Sequence, residues 1–356
     1  MKYIFSIHSP ITYFCAANVV LHEQLKKKDV IFLYTSFVPS NDLGLSVPSF
    51  YTLNKNIFNK LTTFNLAKAY DKYLNEIAKG EQFEAYIDLA HYYQKLLITH
   101  RNCTRFHFIE EGMASYVSPT KLEELTRIES STSFRFRDNR EKFRAILRVL
   151  RGYNLKLLAL PYFANAFTFL EGSKYYGFSP AIYPGVLVEN KVVLKAQSIH
   201  FSKQQKINNF KLTNALLLIE ESYFKNRVIQ EKELAYCMNT TMAILKKSIS
   251  NKRVFLKLLP GQSEHASIYV KYLIMNQIEY QVLPNNIILE ELLVESENCK
   301  VIGTVSSLLF YATVFGHEAF SNYALISEKP KLIFDELEFY WKVVKCISQL
   351  DNNKDI

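Results

Sequence analysis

The chain has 356 residues, 49% of them hydrophobic and 22% charged, with only ten glycines and ten prolines, a composition that excludes a disordered, collagen-like or loop-repeat protein. This length suits two domains of roughly 150 residues each, and a net charge of +9 points to anionic partners: nucleotides, nucleic acid or the inner face of a membrane. Five scattered cysteines, Cys15, Cys103, Cys237, Cys299 and Cys346, form no CxxC pair, which fits a reducing compartment and argues against a disulfide framework or a zinc site. No stretch approaches the ~20 apolar residues of a membrane span. The apolar run after Lys2 is cut by His8, Ser9 and Pro10 before it reaches the length of a secretion signal. The expectation is a cytoplasmic protein.

Met1 to Ile7 reads as a strand that breaks at Ser9-Pro10 before an apolar helical stretch from Tyr13 to Leu25. Strand, short loop and helix open a nucleotide-type α/β unit. Lys26 to Lys28 reads as a solvated helix end, Val30 to Tyr34 as a second strand, Asn54 to Lys79 as mostly helical, Ala85 to Leu89 with Asp88 as a short strand, and His91 to Leu97 as a helix. Phe106 to Ile109 alternates as a strand, and Gly112 ends it by allowing backbone angles other residues avoid. Glu110 and Glu111 therefore fall at a strand's carboxyl end, the rim where open α/β sheets bind ligands. Two adjacent carboxylates repel, which tends to raise one pKa toward the range of a general base; the alternative is a pair of solvated loop residues.

Arg135, Arg137, Arg140, Arg144, Arg148 and Arg151 follow at helical spacing, with Phe143, Ile146, Leu147 and Leu150 on another face. Such a helix either rests on an anionic membrane surface or packs its apolar stripe on the core with its arginines in water. No recognised motif accompanies the charge, so nucleic acid is not expected. Tyr153 to Asn190 is aromatic and broken by Pro161, Gly172, Gly177, Pro180, Pro184 and Gly185, and reads as the crossover between domains.

A second α/β pattern begins with the strand Ala215 to Ile219, ending in Glu220-Glu221, an acidic pair that would repel a nucleotide unless it faces away. A helix over Glu231 to Ser248, a strand over Val254 to Lys257, a helix over Ala266 to Asn276, a strand over Tyr280 to Leu283, a short helix over Ile287 to Val294 and a strand over Lys300 to Ile302 follow. This alternation implies a mostly parallel sheet. Gly303-Thr304-Val305-Ser306-Ser307 then opens an apolar helix through Val314. The unpaired first amides of that helix favour an anion such as a nucleotide phosphate; plain N-capping by Ser306 or Thr304 is the alternative. Asp335 to Leu350 reads as a final amphipathic helix with Leu337, Trp341, Val344 and Ile347 on one stripe, before a frayed tail.

Glu110-Glu111-Gly112, the turn Lys257-Leu258-Leu259-Pro260 and Ser306-Ser307 form an ordered set. It resembles the bacterial sialyltransferases of the lipooligosaccharide type, glycosyltransferase family 52, and the related bacterial polysialyltransferases, which show an acidic-acidic-glycine motif, a His-Pro motif usually preceded by lysine, and a Ser-Ser motif. The loop Ser9-Pro10-Ile11-Thr12 is similar to the family's first loop, and Tyr280 to Glu291 to part of its second domain, so the resemblance spans nearly the whole chain. It implies an α/β protein of the GT-B type, with two facing Rossmann-like domains and a central cleft. The corresponding division is an acceptor-side domain over 1–165, a crossover over 166–200, a CMP-sugar domain over 201–330, and a C-terminal helix and tail over 331–356.

The resemblance further implies an inverting transferase that moves sialic acid or a related nonulosonic acid from a CMP-sugar to a lipooligosaccharide or capsular glycan, with no cofactor and no metal ion. Glu111 would be the general base, with Glu110 beside it; Ser306 and Ser307 would hold the CMP phosphate, with Gly303, Thr304 and Lys257 around it. Peripheral attachment to the inner membrane would run through Arg137, Arg140, Arg144, Arg148 and Arg151, and a homodimer is left open. One departure stands out: Leu259 occupies the place of the family's histidine before proline, removing a charge-assisted hydrogen bond of about 1.5–3 kcal/mol. His265 lies near enough in sequence to substitute, although a solvent-facing residue at a helix start is the plainer reading. A different nucleotide-sugar donor and a catalytically silent glycan-binding relative are the alternatives.

Overall fold

A computed structural model of the protein describes residues 1–34, 63–88, 92–118, 172–198, 210–221, 229–249, 252–285, 287–327 and 333–350. The chain divides into two compact units, Met1–Lys195 and Ala196–Ile356.

The first unit runs β1 (Lys2–Ile7), α1 (Pro10–His22), β2 (Val30–Tyr34), α2 (Thr63–Ile77), β3 (Phe83–Ile87), α3 (Tyr92–Ile98), β4 (Cys103–Ile109), β5 (Tyr175–Gly177) and β6 (Lys191–Val193). Its six strands lie in the order β2-β1-β3-β4-β5-β6, every pairing parallel. Parallel sheets are covered on both faces, which is why even β2, at the edge of this one, is an unbroken, fully buried apolar run. The Ser9 hydroxyl caps α1 by accepting the Thr12 amide at 3.3 Å, and Pro10 opens the helix with its φ already set.

The second unit runs β7 (Leu216–Ile219), α4 (Glu231–Ser248), β8 (Val254–Lys257), α5 (Ile268–Met275), β9 (Gln281–Val282), α6 (Leu289–Val294), β10 (Lys300–Gly303), α7 (Ser307–Val314), β11 (Glu318–Ser321), α8 (Glu338–Val343) and β12 (Lys345–Cys346). Its parallel sheet has the order β12-β11-β10-β7-β8-β9, the strand order of a dinucleotide-binding fold. Leu216, Leu218 and Leu256 pack with Met238, Met242 and Leu273 to form its core. Two Rossmann-like parallel sheets with helical crossovers make the architecture α/β.

Strand order places the ligand sites. In each sheet the chain first builds outward on one side of its opening strand and then crosses to the other, leaving a crevice at the carboxyl ends of the two strands that flank the reversal. Those strands are β1 and β3 in the first unit, β7 and β10 in the second.

The structure departs from the sequence reading in several places. The stretch 166–200, expected as a crossover between domains, supplies β5 and β6 and lies, up to Lys195, within the first unit. Strands of three residues are too short to show a period of two. The C-terminal helix expected over Asp335–Leu350 is instead a 3-10 turn, the short α8, the strand β12 and a second 3-10 turn. The β-branched Val344 is extended, at φ −88° and ψ 113°, and feeds β12 into place beside β11. Lys27–Asp29 is a separate 3-10 turn, not the end of α1. β11 and β12, unread in the sequence, complete the second sheet. The arginine-rich stretch 135–151 and residues 54–62 lie outside the described residues.

Candidate active site

β4 carries the acidic pair to the rim of the first sheet, and its alternation separates the two acids. Successive residues of an extended strand face opposite ways, so Glu110 turns inward and is fully buried. Its Oε2 accepts the Phe178 amide at 2.8 Å. Gly177 explains itself by that contact, because a Cβ there would stand 2.7 Å from Glu110 Oε2 and 1.9 Å from Ile182 Cδ1. Burial, and then the Glu110 charge, push the Cys15 thiol and the Tyr116 phenol up. Glu110 thus has no surface on which to meet a substrate; its expected place in the chemistry gives way to a place in the scaffold.

Glu111 lies beyond the strand and is 19% exposed. Its amide donates to Ser115 Oγ at 3.0 Å as the chain turns through Gly112, at φ 132°, into a 3-10 turn over Met113–Tyr116. Only glycine adopts that angle readily, which is the physical content of the acidic-acidic-glycine motif. Glu111 Oε1 lies 3.1 Å from His8 Nε2, while Oε2 is buried with no hydrogen-bond donor among the described residues.

Sequence reasoning missed His8 and Asp88. His8 follows β1 and Asp88 follows β3, the two strands that flank the reversal, and the register Phe5↔Tyr86 sets them side by side. His8 Nδ1 pairs with the buried Asp88 carboxylate. Burial opposes a charge on His8, but the hydrogen bonds and charges of Asp88 and Glu111 outweigh it and raise the imidazole to about 10. At neutral pH His8 is therefore an imidazolium that donates to both acids. The signal was available: His8, Asp88 and Glu111 each stand just past a buried strand.

In the second unit the turn expected to cradle a phosphate has its amides bonded to protein groups. Glu221, following β7, accepts the Thr304 amide at 3.1 Å and the Val305 amide at 2.6 Å. Burial, against the pull of those two hydrogen bonds, pushes its carboxyl up to about 8. Gly303 leaves it room, since a Cβ there would stand 2.4 Å from Glu221 Oε1. The Ser306 amide donates to the Tyr340 hydroxyl at 3.2 Å, and that hydroxyl donates to the Ser306 carbonyl at 3.0 Å. Ser306 Oγ caps α7 by accepting the Leu308 amide at 3.2 Å. Ser307 is half-buried, and its hydroxyl has no protein partner among the described residues.

Glu220, the neighbour of Glu221, faces the other way. It accepts Gln262 Nε2 at 2.9 Å and the Ile268 amide at 3.0 Å, and it bonds the Ser267 hydroxyl at the start of α5. Lys257, at the end of β8, donates to the carbonyls of Pro284 and Asn285 at 2.9 and 3.3 Å, and burial lowers its pKa. Leu259-Pro260-Gly261-Gln262 is a tight turn with Gly261 at φ +75°. His265 sits exposed in the 3-10 turn before α5. Among the described residues no group of three His, Cys, Asp or Glu side chains is arranged to hold a metal ion, and no helix is long and apolar enough to cross a membrane.

The family described as alpha-2,8-polysialyltransferase (POLYST) matches residues 4–320. The chain belongs to this family. It is a glycosyltransferase of the sialyltransferase kind. No curated protein matches it. Among solved structures, this polysialyltransferase-family chain is similar to the 2,6-sialyltransferase of Photobacterium sp. JT-ISH-224 in ternary complex with CMP and lactose, at 15% identity and a TM-score of 0.46 over 87% of this chain and 69% of that one. It is similar to a sialyltransferase of Photobacterium damsela, at 12% identity and a TM-score of 0.47 over 90% and 74%. A putative UDP-N-acetylglucosamine 2-epimerase of Listeria monocytogenes is similar at 10% identity and a TM-score of 0.46 over 99% and 86%.

Proposed function

We propose that the protein transfers sialic acid, or a related nonulosonic acid, from a CMP-linked donor to a hydroxyl of a cell-surface glycan, with inversion at the anomeric carbon. The observation that carries this reading is Glu111, a carboxylate at the rim of the first sheet with one oxygen held by His8 and the other lacking a donor. An unmet buried acceptor costs about 1–3 kcal/mol, and an incoming hydroxyl supplies what it lacks. The acceptor oxygen bonds to the anomeric carbon while the bond from that carbon to the phosphate oxygen breaks, its electron pair leaving with CMP. Glu111 takes the hydroxyl proton. The Ser307 hydroxyl, Lys257 and the amides of Thr304 and Val305 receive the phosphate charge once Glu221 swings aside.

The family's description supports a terminal sialic acid as the acceptor, its 8-hydroxyl being the nucleophile; the motif resemblance to family 52 supports a lipooligosaccharide. For an acceptor carried on an anionic membrane, Arg137, Arg140, Arg144, Arg148 and Arg151 would add about 1 kcal/mol each near the surface. Leu259 favours a second reading, a donor other than CMP-sialic acid, because the turn offers no imidazole to the leaving phosphate.

The experiment is CMP release and sugar transfer with CMP-sialic acid and sialylated oligosaccharide acceptors, run beside other nucleotide sugars. Turnover of CMP-sialic acid, lowered about 10²–10⁴-fold by Glu111→Gln, is the expected result. Turnover of another donor alone moves the reading to the second alternative, and no turnover at all leaves a silent binding protein.

A further inference from the structure

We propose that His8, clamped by Asp88, is the positioning residue that aims the Glu111 carboxylate at the acceptor hydroxyl. The inference rests on the general-base reading of Glu111 and deepens it.

The geometry is over-determined at each link. Asp88 is fully buried; its Oδ1 accepts Gln94 Nε2, and its Oδ2 forms an ion pair with His8 Nδ1. The same Gln94 nitrogen reaches Ser6 Oγ at 3.1 Å, tying the carboxylate to β1 as well as to its own strand. His8 is held through the backbone too, between the end of β1 and the Ser9 cap of α1. The Ser9 and Thr12 hydroxyls meet at 2.7 Å, and Thr12 Oγ1 lies 3.4 Å from His8 Nδ1. With Nδ1 committed to Asp88, the ring can turn only one way, and Nε2 then points at Glu111 Oε1, 3.1 Å off.

The chemistry favours this use over a purely structural one. A buried carboxylate needs a paired charge, and a histidine that served Asp88 alone would have no reason to spend its second nitrogen on a residue 19% exposed at the rim. Nor is His8 itself the base: held as a cation by two carboxylates, it has no lone pair to offer near neutral pH. An imidazolium on Oε1 instead fixes the carboxylate plane and leaves Oε2 for the incoming proton. Supporting groups of this kind are what hold a reacting atom within a fraction of an ångström of its working position.

The test compares His8→Gln, His8→Ala, Asp88→Asn and Glu111→Gln for kcat, for donor KM, and for the double variant His8→Ala/Glu111→Gln. His8→Ala is expected to lower kcat about 10- to 100-fold with donor KM unchanged, and His8→Gln, which keeps a nitrogen donor toward Glu111, to recover part of it. Adding His8→Ala to Glu111→Gln should cost little more, because the two act as one unit. If Glu111→Gln cripples transfer while folded His8→Ala and His8→Gln keep the wild-type kcat, the positioning role is wrong and the base stands. Unchanged transfer by Glu111→Gln removes the base and this inference with it. Should His8→Ala fail to fold, the ¹³Cε1 resonance of His8 decides, assigned by its loss in His8→Gln: it should stay in the imidazolium range from pH 6 to about 9 in the wild type and titrate lower in Glu111→Gln. No change on losing Glu111 would overturn the contact.

Discussion

Glu221 and Val305, 84 positions apart in sequence, are joined by a 2.6 Å hydrogen bond from the Val305 amide to the Glu221 carboxyl. Donor and side chain cannot both own that amide. Glu221→Ala should therefore tighten CMP about tenfold, the equivalent of one hydrogen bond of about 1.4 kcal/mol. Calorimetric titration with CMP reads it directly; equal or weaker binding by the variant would mean the phosphate sits elsewhere.

The same carboxyl couples stability to pH. Its folded pKa, near 8, lies above the ordinary 4.5, so between those values the folded state keeps a proton that the unfolded state has released. Stability from this group is complete below about pH 4.5 and declines as pH rises toward 8, by a few kcal/mol at most. Glu221→Gln should flatten that part of the stability curve. Parallel denaturation curves for the two proteins from pH 5 to 8 would refute the assignment.

Glu110 and Glu111 should fail in opposite ways. Glu110→Ala leaves the buried Phe178 amide without its acceptor, a loss of about 1–3 kcal/mol for the unmet donor alone, seen as a lowered Tm with the folded fraction still turning over. Glu111→Gln should do the reverse. A dead but fully stable Glu110→Ala would return that residue to the chemistry.

The double serine divides in the same manner. Ser306→Ala removes the cap of α7 and should cost about 0.5–2 kcal/mol. Ser307→Ala should leave Tm alone and raise the donor KM. Paired thermal melts and donor titrations separate the two, and identical behaviour would show that the hydroxyls share one role.

Much of this fold is written locally. β2, β7 and β8 are short apolar runs covered on both faces, and α4 was bounded from sequence at Glu231 and Ser248, with acids in its first turn and Lys246 and Lys247 in its last. The rule that a polar residue past a buried strand faces the ligand edge picks out Glu110 and Glu111 together, and the family resemblance singles out Glu111. His8 and Asp88 obey the same rule but stayed hidden, since nothing local says that β1 and β3 are neighbours. Glu221 escaped for a related reason: its partners lie 83 and 84 positions away, and an acid beside a turn expected to hold a phosphate reads as repulsion until its proton is counted. The three-residue strands β5 and β6 and the four-residue β11 carry too few side chains for any period to emerge.

Tyr340 reaches from α8 to grip both the amide and the carbonyl of Ser306. The serine turn therefore leans on a brace 34 positions further along the chain, supplied by a segment with no catalytic group of its own. Shortening the protein ahead of residue 333 would slacken that turn without altering a letter of it, so a deletion made for convenience at that end would register as poor donor affinity.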